Sequence, residues 1–114
     1  MDRAHSLKKN RQFQYVYRRG KSMACRELVL LFVRAPRLQV GFSVSKKVGN
    51  SVQRNRIKRL LREQFRPLLP RIKPGLYVLV AREAAAAADF RTLGASLQYL
   101  LRKQQLLSPQ EDRS

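Results

Sequence analysis

The stretch Ser45–Arg66, SKKVGNSVQRNRIKRLLREQFR, constrains this chain more than any other. It carries eight basic residues and one acid, Glu63. At 100° per residue, Ile57, Leu60 and Leu61 share one side of a helix, with Gln64 among them. Lys58, Arg62, Asn55, Arg66 and Arg59 fan over a separate sector. Such a helix must bury its narrow apolar side against something else and hold its cations outward. Like charges at Arg54, Lys58 and Arg62 stand four residues apart, where each repulsion costs about 0.2–0.5 kcal/mol. Solvated helix faces usually mix signs instead. A polyanionic partner is the reading that accounts for the imbalance.

Composition extends that reading. The chain has 114 residues, 25 Lys and Arg against 7 Asp and Glu, and a formal net charge of +18. One domain is expected over residues 1–114, with an ordered core about 7–105 and mobile ends, including a frayed tail over Ser108–Ser114. A small domain so charged repels itself unless counter-charge neutralises it, and nucleic acid adds counterion release to the attraction. An anionic membrane surface or a merely solvated cationic surface would carry the same charge. No apolar run approaches the ~20 residues of a membrane span, and Met1–Asn10 has no signal-like apolar core, so a cytoplasmic protein is expected. The single cysteine, Cys25, excludes an internal disulfide and reads as a small residue at a strand edge.

Periodicity predicts the elements around the basic helix. Phe13, Val16 and Tyr17 mark a first helix over about Asn10–Arg18, stopped by Gly20. Leu28–Val33 and Leu38–Ser45 read as strands broken by Pro36, close enough to pair as antiparallel neighbours. A loop over Lys46–Asn50 leads to the basic helix, about Ser51–Phe65, capped by Asn50 or Ser51 and closed by Pro67 and Pro70. Pro74-Gly75 turns into a strand over Leu76–Arg82, and Ala84–Ala88 reads as a loop. Asp89 caps a third helix with the stripe Phe90, Leu93, Leu97 and Leu100 or Leu101. The order is α-β-β-α-β-α, with a further short strand near Ser22–Ala24. That is an α+β class protein, helices packed on a mostly antiparallel sheet.

Two further features bear on binding. Lys46 and Lys47 flank Gly49 beside a helix N-terminus, where N–H groups favour anions. Phe13 and Tyr17 stand among Arg11, Arg18 and Arg19, a mixture of rings and cations suited to single-stranded RNA. Phe13 serves equally well as a core residue. No carboxylate pair, metal-ligand cluster or nucleophile–base pair occurs at recognisable spacing, and the one histidine, His5, lies near the terminus. No catalytic or metal-binding residue is therefore assigned.

The run SVSKKVGNSVQRNRIKRLLREQF, centred on Arg54-Asn55-Arg56, resembles the signature segment of the ribonuclease P protein family. FQYVYRRG before it and PGLYVLVAR after it fall in matching order, so the likeness runs from about Leu7 to Leu101. The resemblance implies an α/β sandwich of order αβββαβα, with three helices and a four-stranded mixed sheet. It implies a left-handed βαβ crossover, as in the second domain of ribosomal protein S5, joining the Val40 and Leu76 strands in parallel. It implies a ribonucleoprotein subunit that binds a catalytic RNA and the 5′ leader of precursor tRNA. Mg²⁺ would be held by that RNA and the substrate, and leader removal would be endonucleolytic. Carried onto this sequence, RNA contacts fall on Lys46, Lys47, Arg54, Asn55, Arg56, Lys58, Arg59 and Arg62. A leader cleft falls on Phe13, Tyr17, Arg18, Ser43 and Ser45. Where some members carry an aromatic on the first long strand near the cleft, this chain has Leu30, Leu31 and Phe32. A ribosomal or other structural RNA-binding role, a DNA-binding architectural role and a membrane-active role remain as rivals.

Overall fold

The computed structural model describes residues 5–108. The elements run α1 (Asn10–Arg19), β1 (Lys21–Ala24), β2 (Leu28–Arg34), β3 (Gln39–Val44), α2 (Ser51–Phe65), β4 (Gly75–Ala81) and α3 (Phe90–Lys103). Short 3₁₀ turns fill Lys46–Val48, Arg66–Arg71 and Glu83–Ala87. The loop expected over Lys46–Asn50 is thus partly wound, and α2 ends at Phe65 as expected, with Pro67 and Pro70 in the 3₁₀ turn that follows directly. The Ala tract is a 3₁₀ turn with Ala85 buried, not an open loop. From residue 109 on, the tail expected to fray lies outside the described residues, as do residues 1–4.

The sheet order is β1-β2-β4-β3. β2 pairs β4 antiparallel and β3 pairs β4 in parallel, with Val40 opposite Tyr77. The expected β2–β3 antiparallel pairing is therefore wrong: β4 lies between them. Alternation assigns a strand's faces but not its neighbours, and the long run through α2 lets β4 return into the gap.

The hand of that return follows from one residue. Val40 packs with Ile57, Leu61 and Phe65 of α2, and its carbonyl accepts from Leu7 N–H at 2.9 Å on the outer edge of β3. View an L residue from its side-chain face, with the chain running upward, and its carbonyl points right. β4 then lies to the left while α2 crosses in front, so the connection is left-handed, against the general preference.

Alternation divides the sheet residues between two cores. Leu28, Leu30, Tyr77 and Leu79 face α2 and α3, meeting Ile57, Leu61, Phe65, Leu93, Leu97 and Leu101. Leu31 and Val78 face α1, meeting Val16 and Leu7. One short helix does not cover this second face, and Val29, Val33, Leu76 and Val80 are only partly buried. Phe90, expected in the α3 stripe, is 46% exposed because the first turn overhangs the core edge. Its carbonyl accepts from Gln64 Nε2–H at 2.6 Å. Cys25 follows β1 directly, its Sγ 3.8 Å from Glu27 Oε1.

Asp89 caps α3 by accepting from Thr92 N–H at 2.8 Å. That hydrogen bond holds its carboxyl below the usual carboxylate range. A depressed folded-state pKa gives stability that is present above the unfolded value and lost as pH falls through the folded one. Asp89→Asn keeps a capping oxygen without the charge. Thermal melts of the two proteins should therefore differ most at neutral pH and converge once pH drops below the carboxylate range.

Candidate nucleic-acid interface

α2 is fixed at both ends. Asn50 Oδ1 accepts from Gln53 N–H at 3.0 Å, and Gln53 Oε1 accepts from Asn50 N–H at 2.9 Å, a reciprocal cap. Gly49 holds φ 154°, and a side chain there would collide with Gln53. The glycine is thus explained by the cap. Ile57, Leu61 and Phe65 anchor the body of the helix, so its cations stand on a rigid support.

The structure divides those cations by position. Arg54, Lys58 and Arg62 form one row along the flank beside β3. Arg54, Asn55 and Lys58 line a cleft of about 180 Å³ with Val44 and Ser51. Lys58 and Arg62 line the next, about 220 Å³, with Phe13, Gly41, Phe42 and Lys8. Arg59 is exposed and lies roughly 160° around the helix from the buried Ile57. Arg56 lies roughly 160° around the helix from Arg54, on the opposite flank. The residues expected to contact RNA therefore comprise a row beside β3 and members on other sides of α2.

Among the described residues, no ion pair or hydrogen bond engages the side chains of Arg54, Arg56, Lys58, Arg59 or Arg62. Arg54 Nε is buried without a partner. An unmet buried donor costs about 1–3 kcal/mol, and a phosphate oxygen entering the cleft would satisfy it. Glu63 is the one acid on the helix, and it pairs with none of these cations.

The other wall of the groove comes from α1. Phe13 packs against the Leu7, Val16, Leu31 and Val78 core, yet also borders the groove. Gly41 makes this possible, because any side chain there would strike the Phe13 ring. Tyr17 is 41% exposed, its ring 6.4 Å from that of Phe13. Ser43 sits two residues beyond Gly41 on the same face of β3, half-buried. Arg18 lies roughly 140° around α1 from Phe13 and does not join the two rings. Ser45 Oγ accepts from Lys47 N–H at 3.1 Å, so that hydroxyl holds the turn carrying the exposed Lys46 and Lys47.

The sequence reading missed Lys8, which lines the groove opposite Lys58 and Arg62. Its position depends on the chain before α1, where Ser6 bridges Val40 in parallel along the free edge of β3. The basic pair Lys8-Lys9 was the available signal. Among the described residues, no group of three His, Cys, Asp or Glu side chains converges as a metal site. No helix among them is long and apolar enough to cross a membrane.

Known proteins share this fold. The family model described as Ribonuclease P matches residues 1–105. The chain is 44% identical over 109 residues to the "Ribonuclease P protein component" of Bacillus velezensis, covering 93% of this chain and 94% of the relative. It is 42% identical over 105 residues to the component of the same name from an Exiguobacterium species, covering 90% and 92%. The solved structure of Staphylococcus aureus RNase P protein superposes with a TM-score of 0.86 at 33% identity, covering 93% of this chain and all of that one. The Thermotoga maritima RNase P protein gives 0.78 at 29% identity, covering 87% and 96%. The three helices, the mixed four-stranded sheet and the sequence match from residue 1 to 105 agree, and the chain belongs to the ribonuclease P protein family.

Proposed function

We propose that this chain binds the catalytic RNA of ribonuclease P through α2 and guides the 5′ leader of precursor tRNA along the groove between α1 and β3. The supporting observation is the meeting of Lys58 and Arg62 with Phe13 and Lys8 across the edge of β3, with no counter-charge on the α2 cations among the described residues. A leader phosphate meets the cations, and a leader base meets the rings. Mg²⁺ belongs in this reading to the RNA subunit and the substrate, where it supplies the chemistry of phosphodiester hydrolysis. The protein lowers repulsion between two polyanions and holds the leader in register, in the cytoplasm where tRNA is processed. A structural role in the ribosome shares the charge but has no comparable support from the relatives.

The direct test is cleavage of precursor tRNA by the RNA subunit at low Mg²⁺, with and without this chain. Added protein should raise the cleavage rate; an unchanged rate contradicts the proposal. Tyr17→Ala should weaken binding of leader-bearing tRNA by about 1–3 kcal/mol, the worth of one stacked base. Mature tRNA should be unaffected. Equal losses on both substrates would show that Tyr17 contacts something other than the leader.

A further inference from the structure

At the opposite end of the sheet, the start of β1, the end of β2, the approach to β4 and the end of α3 enclose a groove of about 710 Å³. It shares no residue with α1 or α2. Its volume falls in the range of small-molecule sites. Lys21, Phe32, Arg34, Pro36, Lys73 and Gln104 line it, and no acidic residue does.

Gln104 gives the groove a defined polar floor. The residue is 8% exposed. Its Nε2 donates to Lys21 O and Leu30 O, both at 3.1 Å. Two carbonyl acceptors require the NH₂ group on that side, which fixes the orientation of the amide. Oε1 is then left buried, with no hydrogen-bond partner. It can be satisfied only by a donor.

The wall beside it is aromatic and held in place. The Phe32 ring lies 4.9 Å from that of Tyr77, centroid to centroid. It packs over the backbone at Gly75, where φ is 152° and a side chain would meet the ring. The Tyr77 hydroxyl donates to Lys73 O at 2.6 Å, which ties the basic rim to the same support. Lys21, Arg34 and Lys73 are exposed around the opening.

A ligand that fits must be flat and apolar in part, must donate a hydrogen bond at its buried end, and must carry negative charge at its outer end. A carboxylate or sulfate alone offers no donor. A fatty acid offers neither a donor nor a plane. We propose that this groove binds a nucleoside monophosphate unit whose base carries an exocyclic amine. The amine donates to Gln104 Oε1, the base lies along Phe32 and Pro36, and the phosphate meets Arg34, Lys73 and Lys21. The unit comes either from a free nucleotide or from an unpaired residue of bound RNA. This site is independent of the leader reading above.

The experiment is an amide NMR titration of the full chain with adenosine 5′-monophosphate, uridine 5′-monophosphate and inorganic phosphate. The adenosine nucleotide should shift the Gln104 side-chain NH₂ together with the Lys21 and Lys73 amides. Uridine monophosphate lacks the amine, and its one base N–H lies between two carbonyl oxygens that would oppose Gln104 Oε1, so it should bind about tenfold more weakly. Phosphate should leave Gln104 unmoved. Arg34→Glu with Lys73→Glu replaces two exposed residues and should abolish the shifts while the remaining spectrum stays folded. An Arg54→Ala, Arg62→Ala chain should bind the nucleotide normally. Competition with a five-residue oligoadenylate separates the sources: displacement assigns the groove to RNA, and failure to displace assigns it to free nucleotide. The proposal is overturned by no shifts at Gln104, by equal binding of phosphate and adenosine monophosphate, or by normal binding to the Arg34→Glu, Lys73→Glu chain.

Discussion

Replacing Arg54, Lys58 and Arg62 together by alanine should weaken binding to ribonuclease P RNA on the order of 100-fold at moderate salt, given about 1 kcal/mol per lost charge-assisted contact. The plot of log K against log salt should flatten by about 2–3, at ~0.7–0.9 per phosphate contact. Folding should hardly change. Among the described residues the three side chains make no internal bonds, and removing Arg54 also removes a buried donor with no partner there. Arg56→Ala, on the other flank of α2, should flatten the slope by no more than about 1. Filter binding at four salt concentrations, with urea melts of the same proteins, checks both halves. Were the triple variant to unfold, the row would be structural.

Phe65→Ala should produce the largest loss of stability, about 3–5 kcal/mol. Phe65 is fully buried at the end of α2. Its ring meets Phe42 edge-on at 6.0 Å and Tyr77 edge-on at 5.8 Å, joining the helix to both parallel strands of the crossover. Deleting it leaves a cavity where β3, β4 and α2 converge. The urea midpoint should fall accordingly. RNA binding should survive below the new transition, because the cations proposed to bind stand elsewhere on the helix. A midpoint within about 1 kcal/mol of the parent would mean that the site collapses and repacks.

The two variants separate what was legible in the sequence from what was not. α2 was readable because its signals are local. Asn50 caps it, Ile57 and Leu61 set its period, and the observed span Ser51–Phe65 matches the expectation. Asp89 and the leucine stripe identified α3 for the same reason. Strand neighbours were not readable. The faces of β2 and β3 follow from alternation, but the insertion of β4 between them depends on a crossover that spans α2. Only the resemblance to a known family supplied the parallel pairing and its hand.

The candidate site shows the same division. Arg54, Lys58 and Arg62 were visible as a row at spacing four, and the structure places that row against β3. Phe13 was open between core and groove, and it proves to serve both. Arg18 stands beside Tyr17 in sequence, but the 100° step of the helix carries it off the side that Phe13 and Tyr17 share. Gln104 carried no usable signal, and Lys8 only the charge of the Lys8-Lys9 pair. Each owes its position to a contact across the fold: Lys8 to the Ser6–Val40 bridge, and Gln104 to carbonyls more than seventy residues away in sequence.

The most direct measurement places a probe on the cationic row itself. In a Cys25→Ser background, a single cysteine at position 58 carries a tethered hydroxyl-radical source, and a cysteine at the exposed position of Tyr99 on α3 serves as the comparison. With the ribonuclease P RNA bound, the probe at 58 should cleave that RNA at a few discrete sites. The probe at 99 should give weak or no cleavage. Equal cleavage from both positions, or cleavage from 99 alone, would place the RNA on another face and contradict the assignment of α2.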